Sequence, residues 1–163
     1  MITIRRFSAE DGSSVRDLIT QIMNEEFRED TAAYPTDDID QIDRSYGGLG
    51  EAFFVAVDTH HKIIGTVAIK KEDDRIALMR RLFVSRNFRK QNIGIKLIER
   101  ALQFCDEVGY AEIIFRTTSR MQGANQLCQK KGFKERARLQ LGQVDLYKYA
   151  LSLRHNGTKK AGH

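Results

Sequence analysis

Two periodicities of apolar residues alternate along the chain. Residues 2–7 switch between apolar and polar side chains, which predicts a half-buried strand. Runs rich in β-branched and aromatic residues predict further strands, and the short apolar run at 113–115 is typical of a strand buried on both faces. The remaining strands are predicted at 52–57, 63–69, 76–84, 133–139 and 143–153.

Apolar residues at i, i+3 and i+4 spacing predict the helices. Ser8 can cap the first helix, with Asp11 as its acidic partner three residues later. The apolar stripe of that helix is Val15, Leu18, Ile19, Ile22 and Met23. The stretch 25–43 has no clean period, and we expect Thr36 to cap a short helix there that runs through Ile42.

Two more helices complete the pattern, one from Ile93 to near Gly109 and a short one from Ala124 that stops at Gly132. The order of elements predicts one mixed α/β domain over residues 1–153, with a central sheet of about six or seven strands flanked by about four helices. Residues 154–163 form a polar, basic tail that we expect to be disordered.

Composition narrows the class of protein. The chain has 163 residues, 41% of them apolar and 30% charged, as in an ordinary globular domain. No apolar run approaches the ~20 residues that cross a bilayer, so no membrane partner is expected. No signal peptide is recognisable either. The sequence therefore predicts a cytoplasmic protein in which Cys105 and Cys128 are free thiols.

The net charge of +5 does not indicate a nucleic-acid partner. The tail contributes Arg154, Lys159 and Lys160 without an acid, and the rest of the chain holds 24 basic against 22 acidic residues. A nearly neutral body offers little attraction to a phosphate backbone.

The candidate chemistry lies between the strand that ends at Val84 and the helix that begins at Ile93. A helix N-terminus presents unpaired backbone N–H groups that attract anions, and Gly94 has no Cβ to block a phosphate. Basic residues surround the same point: Arg89, Lys90 and Lys96. The segment fits a pyrophosphate site, although a basic loop of this kind is equally often a solvated turn.

Other motifs for phosphate, metal or acyl chemistry are absent from the sequence. It contains no Walker pattern, no dinucleotide-binding glycine fingerprint after a strand and no nucleophile elbow. The four histidines lie in turn or tail contexts without zinc-ligand spacing: His60, His61, His155 and His163. No metal site is predicted.

Two blocks resemble the signatures of the GCN5-related N-acetyltransferase (GNAT) superfamily. The first is Arg81-Leu82-Phe83-Val84 followed by the loop 89–94, and the second is 124–133, which ends in Gly-Phe. The resemblance implies a GNAT-like single domain with splayed strands at a cofactor slot. It implies transfer of an acetyl group from acetyl-CoA, by direct attack, to a primary amine of a small molecule or peptide. Homodimers are common in that family.

The resemblance also implies residue roles. The backbone of Leu82, Phe83 and Val84 would pair with the pantetheine arm like an added strand. Main-chain N–H groups of the loop would hold the pyrophosphate beside Lys96, and Asn125 would face the cofactor. The loop residues are Arg89, Lys90, Gln91, Asn92, Ile93, Gly94 and Ile95.

The chain departs from the family pattern at two positions. Asn92 replaces the first glycine of the phosphate signature, and asparagine tolerates left-handed backbone angles, so the loop can still form. Cys128 replaces a tyrosine whose phenol protonates the departing thiolate in many members. A thiol, with a reference pKa of ~8.5 against ~10 for tyrosine, could serve as that acid, or Cys128 is a buried apolar residue. Loss of the tyrosine motivates an alternative function, a non-catalytic acyl-CoA-binding sensor module.

The sequence does not identify the general base or the acceptor substrate. Glu25 and Glu26, at the end of the first helix, are candidate bases. Residues 25–43 hold eight acids and one base, and an acidic rim would attract a cationic amine. Arg80 and Arg81 point to alternate faces of a regular strand, so one of them could bind an acceptor carboxylate.

Overall fold

The computed structural model describes residues 1–33 and 35–153. Within that part of the chain, seven strands and four α-helices follow the order β1-α1-α2-β2-β3-β4-α3-β5-α4-β6-β7. The strands are β1 (Thr3–Arg6), β2 (Ala52–Val57), β3 (Ile63–Lys71), β4 (Ile76–Val84), β5 (Glu112–Thr118), β6 (Lys134–Leu141) and β7 (Val144–Ser152). The helices are α1 (Gly12–Glu26), α2 (Ile42–Ser45), α3 (Ile93–Val108) and α4 (Gln122–Lys130). The predicted tail, residues 154–163, lies outside the described residues.

The strands form one mixed sheet in the order β1-β2-β3-β4-β5-β7-β6. Every neighbouring pair is antiparallel except β4 and β5, which are parallel and joined through α3. The fold class inferred from the pattern, a mixed sheet of six or seven strands with about four helices, is confirmed.

The two parallel strands separate in the middle of the sheet. Their pairing ends at Met79 and Phe115, although β4 continues to Val84. Beyond that point β4 pairs only with β3, and β5 pairs with β7 as far as Thr118. The splayed strands implied by the family resemblance are therefore present.

A backbone irregularity in β4 accompanies the separation. Arg81 has a left-handed φ of 55°, and the register between β3 and β4 shifts between Thr66 and Ala68. The Thr66 hydroxyl donates a hydrogen bond to the Arg81 carbonyl at 2.7 Å. A bulge of this kind bends a strand and re-aims its side chains.

Helices cover the sheet on both faces. One apolar cluster lies between the sheet and α3 and includes Phe54 and Leu97, and the other lies between the sheet and α1 and includes Val15 and Phe53. All six residues of β2 are buried because the two clusters meet on its opposite faces.

The segment before β2 differs from its prediction. The helix expected from Thr36 through Ile42 is not formed, and α2 is a single turn that starts at Ile42. Isolated turn bonds occupy the stretch instead, from the Ile39 N–H to the Thr36 carbonyl and from the Gln41 N–H to the Asp38 carbonyl. The Asp38 side chain bonds to Arg81 and Tyr46 rather than to its own backbone.

Candidate active site

The separation of β4 from β5 lies between two cavities. The first, here called the cofactor cleft, has a volume of about 700 Å³. It is lined by α1, the end of β4, the start of α3 and α4, and includes Leu82, Phe83, Val84, Arg89, Lys90, Asn92, Ile93, Gly94 and Ile95. Nine of the twelve residues expected to bind the cofactor therefore meet in one cleft, whereas Gln91, Lys96 and Asn125 are outside its lining.

Two residues of the loop before α3 have left-handed backbones, and one of them is Asn92, the replacement for the family's first glycine. Lys90 and Asn92 have left-handed φ angles of 66° and 63°, and Asn92 occupies the N-cap of α3. The first backbone bond into the helix runs from the Lys96 N–H to the Asn92 carbonyl at 3.1 Å. The N–H groups of residues 93–95 have no partner within the helix, so an anion placed before them would meet free donors.

Gly94 has a packing role that the sequence did not predict. A Cβ added at this position would lie 2.6 Å from Leu127 Cδ1, a separation that forces the leucine to move. Absence of a side chain thus lets α3 approach α4 closely, and the same absence keeps the cleft open.

An ion pair links the loop before α3 to the first helix. Both guanidinium Nη atoms of Arg89 donate to the Glu26 carboxylate at 2.7 Å, and Arg89 Nε donates to the Val84 carbonyl at 3.0 Å. Hydrogen bonding from Arg89 is the main reason that the pKa of Glu26 is lowered. A carboxylate stabilised in this way is a weaker base, so Glu26 positions Arg89 more readily than it takes a proton.

Glu25, the other candidate base, is outside the cleft lining. Its carboxylate accepts a hydrogen bond from Gln21, one turn earlier in α1, at 3.2 Å. Its position on the exposed face of the helix is that of a solvated acid.

Asn125 lies behind the cleft. Its side chain accepts a hydrogen bond from the Thr117 hydroxyl and donates one to the Thr118 carbonyl at 3.0 Å. These bonds fasten α4 to the end of β5, and they occupy the amide that was expected to face the cofactor.

Cys128 lies in the core between α4 and the sheet. It is fully buried and does not line the cofactor cleft, and burial raises the pKa of its thiol to about 12. Cys105 is also buried, and its thiol pKa is likewise raised to about 12. These surroundings favour the interpretation of Cys128 as a buried apolar residue over its interpretation as the general acid.

No pattern in the sequence indicated that Arg120 lines the cleft. Arg120 follows β5, lines the cleft, and pairs with Glu29 at 2.6 Å and with Asp30 at 3.3 Å. Asp30 is buried and also accepts a hydrogen bond from Thr118 at 2.8 Å. The contacts join elements about 90 positions apart, and no local motif marks them.

The second cavity, here called the acceptor pocket, has a volume of about 430 Å³. Its lining includes residues 78–81 of β4, residues 114–117 of β5 and parts of β6 and β7. β4 contributes Leu82–Val84 to the cofactor cleft and the residues just before them to the acceptor pocket. The two cavities therefore adjoin along β4, where the parallel strands part.

Arg80 and Arg81 reach the same neighbours instead of opposite faces. The Arg81 guanidinium donates to the Asp38 carboxylate, and the Arg80 guanidinium lies 6.0 Å from the centre of the Tyr46 ring. The Tyr46 hydroxyl in turn donates to Asp38. The alternation expected of a regular strand fails because the bulge at Arg81 turns its side chain.

The acidic segment 25–43 is partly neutralised. Glu26 pairs with Arg89, Glu29 and Asp30 with Arg120, and Asp38 with Arg81. Four of the eight acids therefore face arginines. The free acidic rim expected from the sequence is correspondingly smaller.

Two kinds of feature are absent from residues 1–33 and 35–153. No helix there has both the length and the apolar character needed to span a membrane. No group of three or more histidine, cysteine, aspartate or glutamate side chains is placed there to hold a metal ion.

Comparison with known proteins places this geometry in context. A sequence model described as the acetyltransferase (GNAT) family matches residues 17–133. Human N-acetyltransferase 8 is 34% identical over 104 residues, which cover 60% of this chain and 45% of the human protein. N-acetylaspartate synthetase of Xenopus tropicalis is 34% identical over 86 residues, or 52% of this chain and 31% of that protein. The chain thus spans less than half the length of either relative.

Solved structures show the same fold. A GNAT-family acetyltransferase of Staphylococcus aureus has a TM-score of 0.81 at 24% identity and covers 94% of this chain and 100% of its own. A Salmonella typhimurium acetyltransferase, solved with its cofactor acetyl-CoA, has a TM-score of 0.76 at 17% identity and covers 94% of each chain.

Proposed function

The chain belongs to the acetyltransferase (GNAT) family, and on that premise we propose that it is an N-acetyltransferase that uses acetyl-CoA. We place the cofactor in the cleft and a primary amine, of a small molecule or peptide, in the acceptor pocket. The observation that carries the proposal is that the two cavities lie side by side along β4, where it leaves β5.

The cleft supplies three kinds of contact for a CoA molecule. Donors at the start of α3 suit a pyrophosphate, and the unpaired edge of Leu82–Val84 suits an extended amide-containing arm. Cations that line the cleft add attraction for phosphate: Arg89, Lys90, Arg120 and Lys130.

Bound acetyl-CoA supplies an electrophilic thioester, whose C–S bond breaks as the amine nitrogen bonds to the acetyl carbon. The proton lost by the amine passes to water, and the thiolate is protonated in turn. The protein's contribution in this proposal is to hold the amine against the thioester. Neither Cys128 nor Glu26 needs to move a proton, which agrees with the buried thiol and the paired carboxylate.

Calorimetric titration with CoA, followed by thiol-release assays over a panel of amines, tests the proposal. We expect binding in the micromolar range or tighter, and acetyl-CoA-dependent release of thiol with at least one amine. Absence of CoA binding by the folded protein would overturn the proposal. Binding without release over the whole panel would leave a non-catalytic acyl-CoA-binding module.

A further inference from the structure

The acceptor pocket has an unbalanced charge. Its lining contains five cationic side chains and no acidic one: Arg80, Arg81, Arg116, Arg138 and Lys148. Arg81 is paired with Asp38 and Arg138 with Glu135. Among the described residues, Arg80 and Lys148 form no ion pair, and Arg80 lies over the Tyr46 ring, where its charge contributes to the lowered pKa of Asp38.

Three of these cations lie in one row across the sheet. Arg116 on β5 stands directly opposite Lys148 on β7, so their side chains share a face about 5 Å apart at Cβ. Arg80 is the residue after the last paired position of β4, as Arg116 is on β5. Ala137 is opposite Lys148 on the other side, and its small side chain leaves room above the row.

Like charges placed directly opposite each other destabilise a sheet. A bound anion would offset the repulsion between the two opposite cations. Apolar side chains line the pocket beside the cations, namely Leu78, Ile114 and Leu146, and they suit the carbon skeleton of a small ligand.

Arg81 is a further cation at the end of the row. Its side chain is only 2% exposed, it lines the same pocket, and its Nη1 atom has no hydrogen-bond partner among the described residues. A buried guanidinium N–H without a partner is costly, so this end of the pocket carries positive charge that Asp38 satisfies only in part.

We propose that the acceptor is a carboxylate-bearing amine of amino-acid type, whose carboxylate is bound by Arg80, Arg116 and Lys148. The row lies beside the point where β4 and β5 separate, so a carboxylate held there places a nearby amino group toward the cofactor cleft. This inference rests on the proposed function and names its substrate class. It disfavours polyamines, which the row would repel.

The test compares acceptors matched except for the carboxylate. Glycine and L-aspartate are assayed against glycinamide and putrescine with wild-type protein, Lys148→Met and the control Lys62→Met. Lys62 is exposed and outside the acceptor pocket. We expect a free amino acid to exceed its amide at least about tenfold in kcat/KM, as charge-assisted hydrogen bonds allow. Lys148→Met should lower the kcat/KM ratio of amino acid to amide about tenfold and leave the KM for acetyl-CoA unchanged.

Binding provides a second readout that needs no turnover. In the presence of CoA, the amino acids should bind wild-type protein and Lys62→Met in calorimetry and bind Lys148→Met at least about tenfold more weakly. Amides or diamines used as well as amino acids, or an unaltered Lys148→Met, would overturn the carboxylate proposal while the acetyltransferase proposal stands. Loss of CoA binding in wild-type protein would instead contradict the acetyltransferase proposal.

A structural role for Lys148 is separated by thermal melting. Because Lys148→Met removes a like-charge contact with Arg116, its melting temperature should equal or exceed that of the wild type. A clearly lower melting temperature would mean that the lysine stabilises the sheet, which contradicts the charge conflict from which the carboxylate is inferred.

Discussion

The cofactor cleft and the acceptor pocket are built from the same strand in different ways. The cleft uses a contiguous stretch, the end of β4 and the start of α3, and offers backbone groups. The pocket takes side chains from four strands, and the row from β4, β5 and β7 meets only through sheet register. The cleft is formed by local backbone and so depends on a few small or left-handed residues. The pocket is formed by side chains that strand register brings together, so a single substitution can change the ligand that it binds.

Gly94→Leu should have the largest effect, and it falls on the cleft alone. The new side chain enters the cleft and collides with Leu127, so we expect CoA affinity to fall at least about 100-fold, as when a built-in close approach is blocked. Calorimetry with CoA is the measurement. Gly12→Leu, in the first turn of α1 with open space around it, is the matched control.

A double variant tells the two roles of Gly94 apart. If packing against α4 is the whole reason for the glycine, Leu127→Ala should restore CoA binding to Gly94→Ala. If the cofactor itself needs the space, the double variant should bind CoA as poorly as Gly94→Ala.

Asp38→Asn should lower the free energy of unfolding, because it removes the partner of Arg81 beside the acceptor pocket. Burial opposes the ionised form of Asp38, but hydrogen bonds from Arg81 and Tyr46 outweigh burial and lower its pKa. The substitution leaves the buried Arg81 charge without its partner, which costs about 3 kcal/mol in the free energy of unfolding. Urea titrations of the variant against Asp37→Asn, an exposed neighbour, measure the difference.

The same pair predicts a pH dependence. Because the folded-state pKa of Asp38 is lowered, its contribution is complete above the ordinary value of 3.8 and declines as pH falls through the folded-state value. The stability gap between wild type and Asp38→Asn should therefore narrow below about pH 4. A gap of constant size down to pH 2 would show that the charge of Asp38 is not its source.

Arg89→Gln tests the cleft with a smaller change. Loss of one charged contact near the phosphates should weaken CoA binding about tenfold and make it less sensitive to salt. Arg86→Gln, in the same loop but 3.9 Å from Glu26 and more exposed, should change the affinity much less. Equal losses of CoA affinity in the two variants would show that Arg89 contributes only positive charge to the region and makes no specific contact with the cofactor.

Cys128→Ala should have the smallest effect on catalysis. The thiol is buried, outside the cleft, and its pKa is raised to about 12, so kcat should stay within about twofold of wild type, since no step in proton transfer is lost. Cys105→Ala is the control for the loss of a buried sulfur. A fall in kcat at least tenfold greater than that of Cys105→Ala would show that Cys128 acts as the general acid.

The contrast between the two cavities also explains what could be predicted from the sequence. The element order and a left-handed Asn92 in the loop before α3 follow from local patterns, and both are present in the fold. Arg116 and Lys148 lie 32 positions apart and meet only because β5 pairs with β7 in one register. A one-residue shift would separate their side chains onto opposite faces, and no short motif records that register.

The bulge at Arg81 is the other feature that the pattern could not predict. A regular β4 would alternate Arg80 and Arg81, and the acidic stretch before β2 would remain a free rim. Instead, Arg81 takes a left-handed backbone and binds Asp38. Tertiary contact with the segment before α2 decided both outcomes.

The division of labour between the cavities is tested most directly by two-substrate kinetics on three proteins: wild type, Arg89→Gln and Lys148→Met. Thiol release is measured over a matrix of acetyl-CoA and amino-acid concentrations. We expect Arg89→Gln to raise only the KM for acetyl-CoA and Lys148→Met to raise only the KM for the amino acid. An equal rise of both constants in either variant, or no thiol release by the wild-type protein, would contradict two cavities that serve one acetyl transfer.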